Sequence, residues 1–143
     1  ALSVYETRRA KIALTLDQHR AIKEAVPGYL MVKANDNTVG CTPEGCAELS
    51  KIVNVFVGEN LFGSLGRCGA RGGCSSVVYW APRFILPLWA EVESKHWAAV
   101  DAGCKKLDEL FAFLFKQWGD RGLTDTGYDR LGGVGGGGGG GAC

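Results

Sequence analysis

Four cysteines in the middle of the chain are the residues whose type and spacing could do chemistry. Cys41 and Cys46 are followed by Cys68 and Cys74, with four, twenty-one and five residues in the three gaps. Six cysteines in 143 residues point to an oxidising compartment or a metal site, because reducing conditions remove the reason to keep a bridge. Structural zinc takes four thiolates or imidazoles from tight knuckles of roughly two to four intervening residues. The last gap lies outside that pattern, and neither His19 nor His96 stands near enough in sequence to repair it. The spacing therefore predicts disulfides among Cys41, Cys46, Cys68 and Cys74, in any of three pairings, with zinc and free thiols as rivals. A bridge that closes the Cys46 to Cys68 loop would stabilise by ~2–4 kcal/mol. Cys104 and Cys143 acquire no role from this pattern.

Catalysis finds little support. A cysteine nucleophile needs a histidine base, and His96 and Cys104 would stand roughly 12 Å apart on one helix face at ~1.5 Å per residue, too far for direct proton transfer. No Ser-His-Asp order, H-E-x-x-H, C-x-x-C or framed pair of carboxylates is present. The glycines between Gly58 and Gly73 lack the Lys-Ser/Thr ending of a phosphate-cradling loop. They read instead as an irregular bridged segment whose backbone turns around the sulfurs. The chain reads as no enzyme, with no catalytic residue, no metal site and no cofactor of its own.

The elements that must position the cysteines are predicted mainly as helix. Residues 3–26 read as a helix with Ser3 and Glu6 as a capping box, stopped by Pro27-Gly28. Thr42-Pro43-Glu44 supplies an N-cap, a first-turn proline and an acidic residue for a helix over about 42–57. Leu88, Val92, His96 and Val100, then Leu107, Leu110, Phe111, Leu114 and Trp118, give a helical period over 88–118 with a break at Gly103. The fold class expected is a small helical domain with irregular disulfide-stapled loops and a long C-terminal helical extension. Its divisions are 1–82, 83–131 and a glycine-rich tail at 132–143.

Around the C-terminal seam, Trp89, Trp97, Phe113 and Phe115 add aromatic surface on more than one side, and such excess calls for cover by a partner. Tyr79 and Trp80, directly after the last of the four cysteines, are expected to be buried against the stapled segment or another subunit. The candidate partner-binding residues are Tyr79, Trp80, Trp97, Phe113, Phe115 and Trp118. His96, beside Trp97, is a candidate ligand for a chlorophyll magnesium in a pigment-rich setting. A net charge of +1 excludes a strongly basic nucleic-acid binder, although residues 1–33 form a mildly basic arm suited to an acidic neighbour. The most apolar stretch, Val77 to Trp89, is broken by Pro82, Arg83 and Pro87 and falls short of the ~20 apolar residues of a membrane span, which predicts a soluble or peripheral protein. Ala1 stands where cleavage after a small-residue signal site would leave it.

At the cysteine segment the chain resembles a known family, subunit N of photosystem I. That family reads C-x-[D/E]-L-A-K after its second cysteine, and Cys46-Ala47-Glu48-Leu49-Ser50-Lys51 follows it with one Ala-to-Ser change. Its fourth cysteine opens C-x-S-x-V-aromatic-Trp, and Cys74-Ser75-Ser76-Val77-Val78-Tyr79-Trp80 fits at every fixed position. The likeness spans about residues 1–80. The first cysteine gap is shorter than in the family, and the chain continues for about sixty residues beyond Trp80. The resemblance implies a non-enzymatic extrinsic subunit in the chloroplast thylakoid lumen, peripheral to the membrane. Its partners would be the photosystem I core and light-harvesting antenna, with a soluble lumenal electron donor as a third and chlorophyll as a peripheral contact. The alternatives are a secreted disulfide-rich protein-binding module and a zinc-ribbon-like adaptor.

Overall fold

The computed structural model describes residues 1–7, 10–119, 127, 129, 130 and 133. Arg8 and Arg9 of the basic arm, Cys143 and the glycine tail apart from Gly133 lie outside the described residues. The chain divides into two compact units, Ala1–Cys74 and Ser75–Cys143. The fold is mixed α/β: helices predominate, yet the first unit is organised by a parallel four-stranded sheet in the order β1-β2-β3-β4.

The first strand, β1 (Leu2–Tyr5), overturns the helix expected from residue 3. It pairs parallel with β2 (Tyr29–Lys33), Ser3 opposite Met31 and Tyr5 opposite Lys33. The Lys33 ammonium rests 4.2 Å from the centroid of the Tyr5 ring, a cross-strand cation–π contact. Ser3 and Glu6 therefore cap nothing; the capping box lies at Thr15 and Gln18, which exchange hydrogen bonds of 3.2 and 2.9 Å at the start of α1 (Leu16–Ala25). α1 stops before Pro27 as expected, but it starts at Leu16 rather than at residue 3, and residues 3–5 belong to β1. The physical reason is that Val4 and Tyr5 prefer a pleated surface, and a neighbouring strand satisfies their backbone groups.

The second predicted helix begins where expected and ends early. Thr42 accepts from the Gly45 amide at 3.1 Å and Pro43 occupies the first turn of α2 (Pro43–Leu49). The chain then leaves the helix, and Asn54–Val57 becomes β3, consistent with a run of β-branched and aromatic residues. β3 pairs with β2 through Met31↔Asn54 to Lys33↔Phe56. Regular structure also appears in the glycine-rich stretch, as α3 (Phe62–Gly66) and β4 (Gly72–Gly73). The β4 glycines answer to close approach: a Cβ on Gly72 would lie 2.4 Å from the Phe56 ring, and one on Gly73 would lie 2.3 Å from that of Phe62. The core of this unit gathers Tyr29, Val32, Cys46, Leu49, Val55, Val57, Phe62 and Leu65, with α2 packed on α1, α3 and β3.

The second unit is a helical hairpin. α4 (Pro82–Glu93) and α5 (Trp97–Trp118) pack together, and the break falls at Ser94-Lys95-His96, where Lys95 holds φ +59°. Gly103 was the expected break but lies inside α5, where a Cβ would meet Leu88 Cδ1 at 2.3 Å. The glycine there admits the facing helix instead of ending its own. Of the predicted seam, Leu88, Val92, Val100 and Leu107 are buried, while Leu110, Leu114 and Trp118 are half-buried. His96 departs from it and stands exposed as the N-cap of α5.

Close backbone approach gives a direct test. A Cβ on Gly45 would sit 1.9 Å from the Val39 carbonyl oxygen, whereas one on Gly58 would meet only Asn60 Oδ1 at 3.2 Å. Gly45→Ala is expected to destabilise by ~1–3 kcal/mol and Gly58→Ala to be near neutral. Urea unfolding followed by far-ultraviolet circular dichroism reads both, and equal midpoints for the two variants would contradict the packing described.

Candidate functional site

The four central cysteines lie in the first unit. Cys41, Cys46, Cys68 and Cys74 carry free thiols, so the disulfide staples expected from the spacing are absent among the described residues. Local donors and acceptors account for this. The buried Cys46 thiol on α2 lies 3.7 Å from the Leu65 carbonyl oxygen and 3.9 Å from Ser50 Oγ. The Cys68 thiol lies 3.4 Å from the Ser64 carbonyl oxygen. Burial pushes the Cys46 thiol pKa upward, opposed by the Ser50 hydrogen bond. Burial also raises Cys41, reinforced by Asp36, and Cys74, opposed by Lys33. Raised pKa values leave these sulfurs protonated at neutral pH and poor as nucleophiles. Among the described residues no group of three or more His, Cys, Asp or Glu is arranged to hold a metal.

The aromatic candidates occupy the second unit. Tyr79 is 75 % exposed and Trp80 is half-buried, so packing within this unit's core does not cover Tyr79. Trp97 and Trp118 are half-buried, while Phe113, Phe115 and Leu86 are exposed. Phe113 and Trp118 meet edge to face at 6.1 Å. His96 Nδ1 lies 2.8 Å from Glu91 Oε2. No described helix is long and apolar enough to cross a membrane.

A third place was not visible in the sequence. Parallel strands deliver their following loops to one edge, where open α/β sheets bind ligands. Glu6 and Thr7 follow β1, residues 34–38 follow β2, and Gly58 and Asn60 follow β3. Two clefts open there. One of about 700 Å³ runs between the loops after β2 and β3; one of about 230 Å³ runs between those after β1 and β2. Asp36, Asn37 and Thr38 line both. Thr38 Oγ1 fixes the shared loop, donating to the Asn35 carbonyl at 2.7 Å and accepting its amide at 3.1 Å; Asn37 adopts φ +68°.

Behind the smaller cleft runs a buried polar chain. Tyr29 Oη lies 2.7 Å from His19 Nδ1, and His19 Nε2 lies 3.6 Å from Glu6 Oε1. Glu6 Oε1 also accepts the Leu14 amide at 3.0 Å. Burial, then the negative charge of Glu6, pushes the Tyr29 hydroxyl up to about 12. A hydroxyl held protonated is fit to donate to Nδ1, which places the imidazole proton on the nitrogen nearer Glu6. Glu6 Oε2 and His19 Nε2 have no hydrogen-bond partner. Sequence reading missed this chain because residues 6, 19 and 29 share no local period.

No family model matches the chain, and no curated protein matches it.

Two measurements follow from these environments. In native alkylation with iodoacetamide, Cys46 should react most slowly of the four central cysteines, since it is fully buried while the other three are half-buried; mass spectrometry showing Cys46 labelled first would overturn the packing of α2. The second concerns Tyr29. Its folded pKa is raised, so its contribution is fully present below the unfolded value of 10.0 and is lost as pH rises toward about 12. Urea unfolding at pH 9 and 12 should show wild type losing on the order of 2 kcal/mol more than Tyr29→Phe, and parallel pH profiles would refute the assignment.

Proposed function

We propose that the chain is a non-enzymatic extrinsic subunit that binds protein partners through the helical hairpin of its second unit. The partners suggested by the resemblance to subunit N of photosystem I are that complex's core and antenna on the lumenal side. The observation that carries the reading is the phrase from Cys74 to Trp80. Its tyrosine stands exposed on the 3-10 turn Val77–Tyr79 that packs on α4. Leu86 on α4 and Phe113 on α5, 61 % and 54 % exposed, are further exposed apolar side chains of the same unit. Scattered apolar side chains are ordinary on any surface, but large aromatics are the usual anchors of interfaces.

His96 fits the same reading. An imidazole whose Nδ1 is held by a carboxylate presents Nε2 for ligation, the arrangement found around bound metals, and the Glu91 pairing supplies that carboxylate. The hairpin thereby offers a candidate ligand for a chlorophyll magnesium at a pigment-bearing interface. A soluble lumenal electron donor is a further candidate partner. A secreted protein-binding module would use the same exposed aromatics with an unrelated partner.

Rebinding to salt-washed photosystem I–antenna particles tests the proposal. Wild type should be retained saturably, and the pair Tyr79→Ser and Phe113→Ser should weaken retention by about tenfold or more. Equal retention by membranes lacking photosystem I, or an unaffected double variant, would reject it.

A further inference from the structure

We draw no further inference here: the strongest candidate, the cleft of about 700 Å³ between the loops after β2 and β3, belongs to the site already described, and its exposed walls at Asp36, Asn37 and Asn60 select no particular ligand.

Discussion

The contact between Tyr29 and His19 holds the first unit together. Tyr29 opens β2, is fully buried, and reaches across to α1 through a 2.7 Å hydrogen bond. Its carbonyl accepts Lys23 Nζ at 2.7 Å, so the strand is tied to the same helix twice. Leu2, its partner across the sheet, starts β1, and Glu6 just beyond β1 meets the far side of the His19 ring. One aromatic hydroxyl thus sets the spacing of β1, α1 and β2. A hydrogen bond is worth only ~1 kcal/mol net, but loss of this one would orphan a hydroxyl and an imidazole nitrogen in the core, where desolvation makes the omission costly.

Close approach, more than chain flexibility, explains where this protein needs glycine. Gly45 lets α2 settle against the Val39 carbonyl, Gly72 and Gly73 receive the Phe56 and Phe62 rings, and Gly103 receives Leu88. In each case the missing Cβ is replaced by an atom of a neighbouring element. Interiors are packed to crystal-like density, so space vacated by glycine is filled by whatever lies opposite. A two-residue β4 survives as a strand because the Arg71 and Cys74 amides extend its pairing with β3, bonding to Val55 and Val57 carbonyls at 2.8 and 2.9 Å.

What was legible in the sequence is what local chemistry decides. Thr42-Pro43-Glu44 announces a helix start because the cap, the proline and the acid all act within one turn. The period through Leu88, Val92, Val100 and Leu107 announces a buried helical face for the same reason. The strands were missed because four-residue runs such as Leu2–Tyr5 and Asn54–Val57 are too short for a period of 2.0 to stand apart from one of 3.6. Ser3 and Glu6 carried the spacing of a cap while the backbone before them was engaged by β2. The Glu6–His19–Tyr29 chain was beyond reach altogether, since only the parallel pairing of β1 and β2 brings its ends together.

The thiols show how a short unit can hold a loop-rich segment without covalent staples. A unit of this length, Ala1–Cys74, is near the size at which bridges or metals commonly supplement a core. Here the Leu65 carbonyl serves as the gathering point: the Cys68 and Ala70 amides each donate to it at 3.0 Å, and the Cys46 thiol approaches at 3.7 Å. Ser50, one turn beyond Cys46 on the same side of α2, donates to the Gly69 carbonyl at 3.0 Å. The end of α3 and the turn after it are therefore bound to α2 by a hydroxyl and a thiol rather than by a sulfur–sulfur bond. Bridging Cys46 would withdraw its sulfur from the Leu65 carbonyl and the Ser50 hydroxyl. The thiol form instead keeps those contacts, and burial, by raising the Cys46 pKa, makes this sulfur a poor attacking nucleophile in thiol–disulfide exchange.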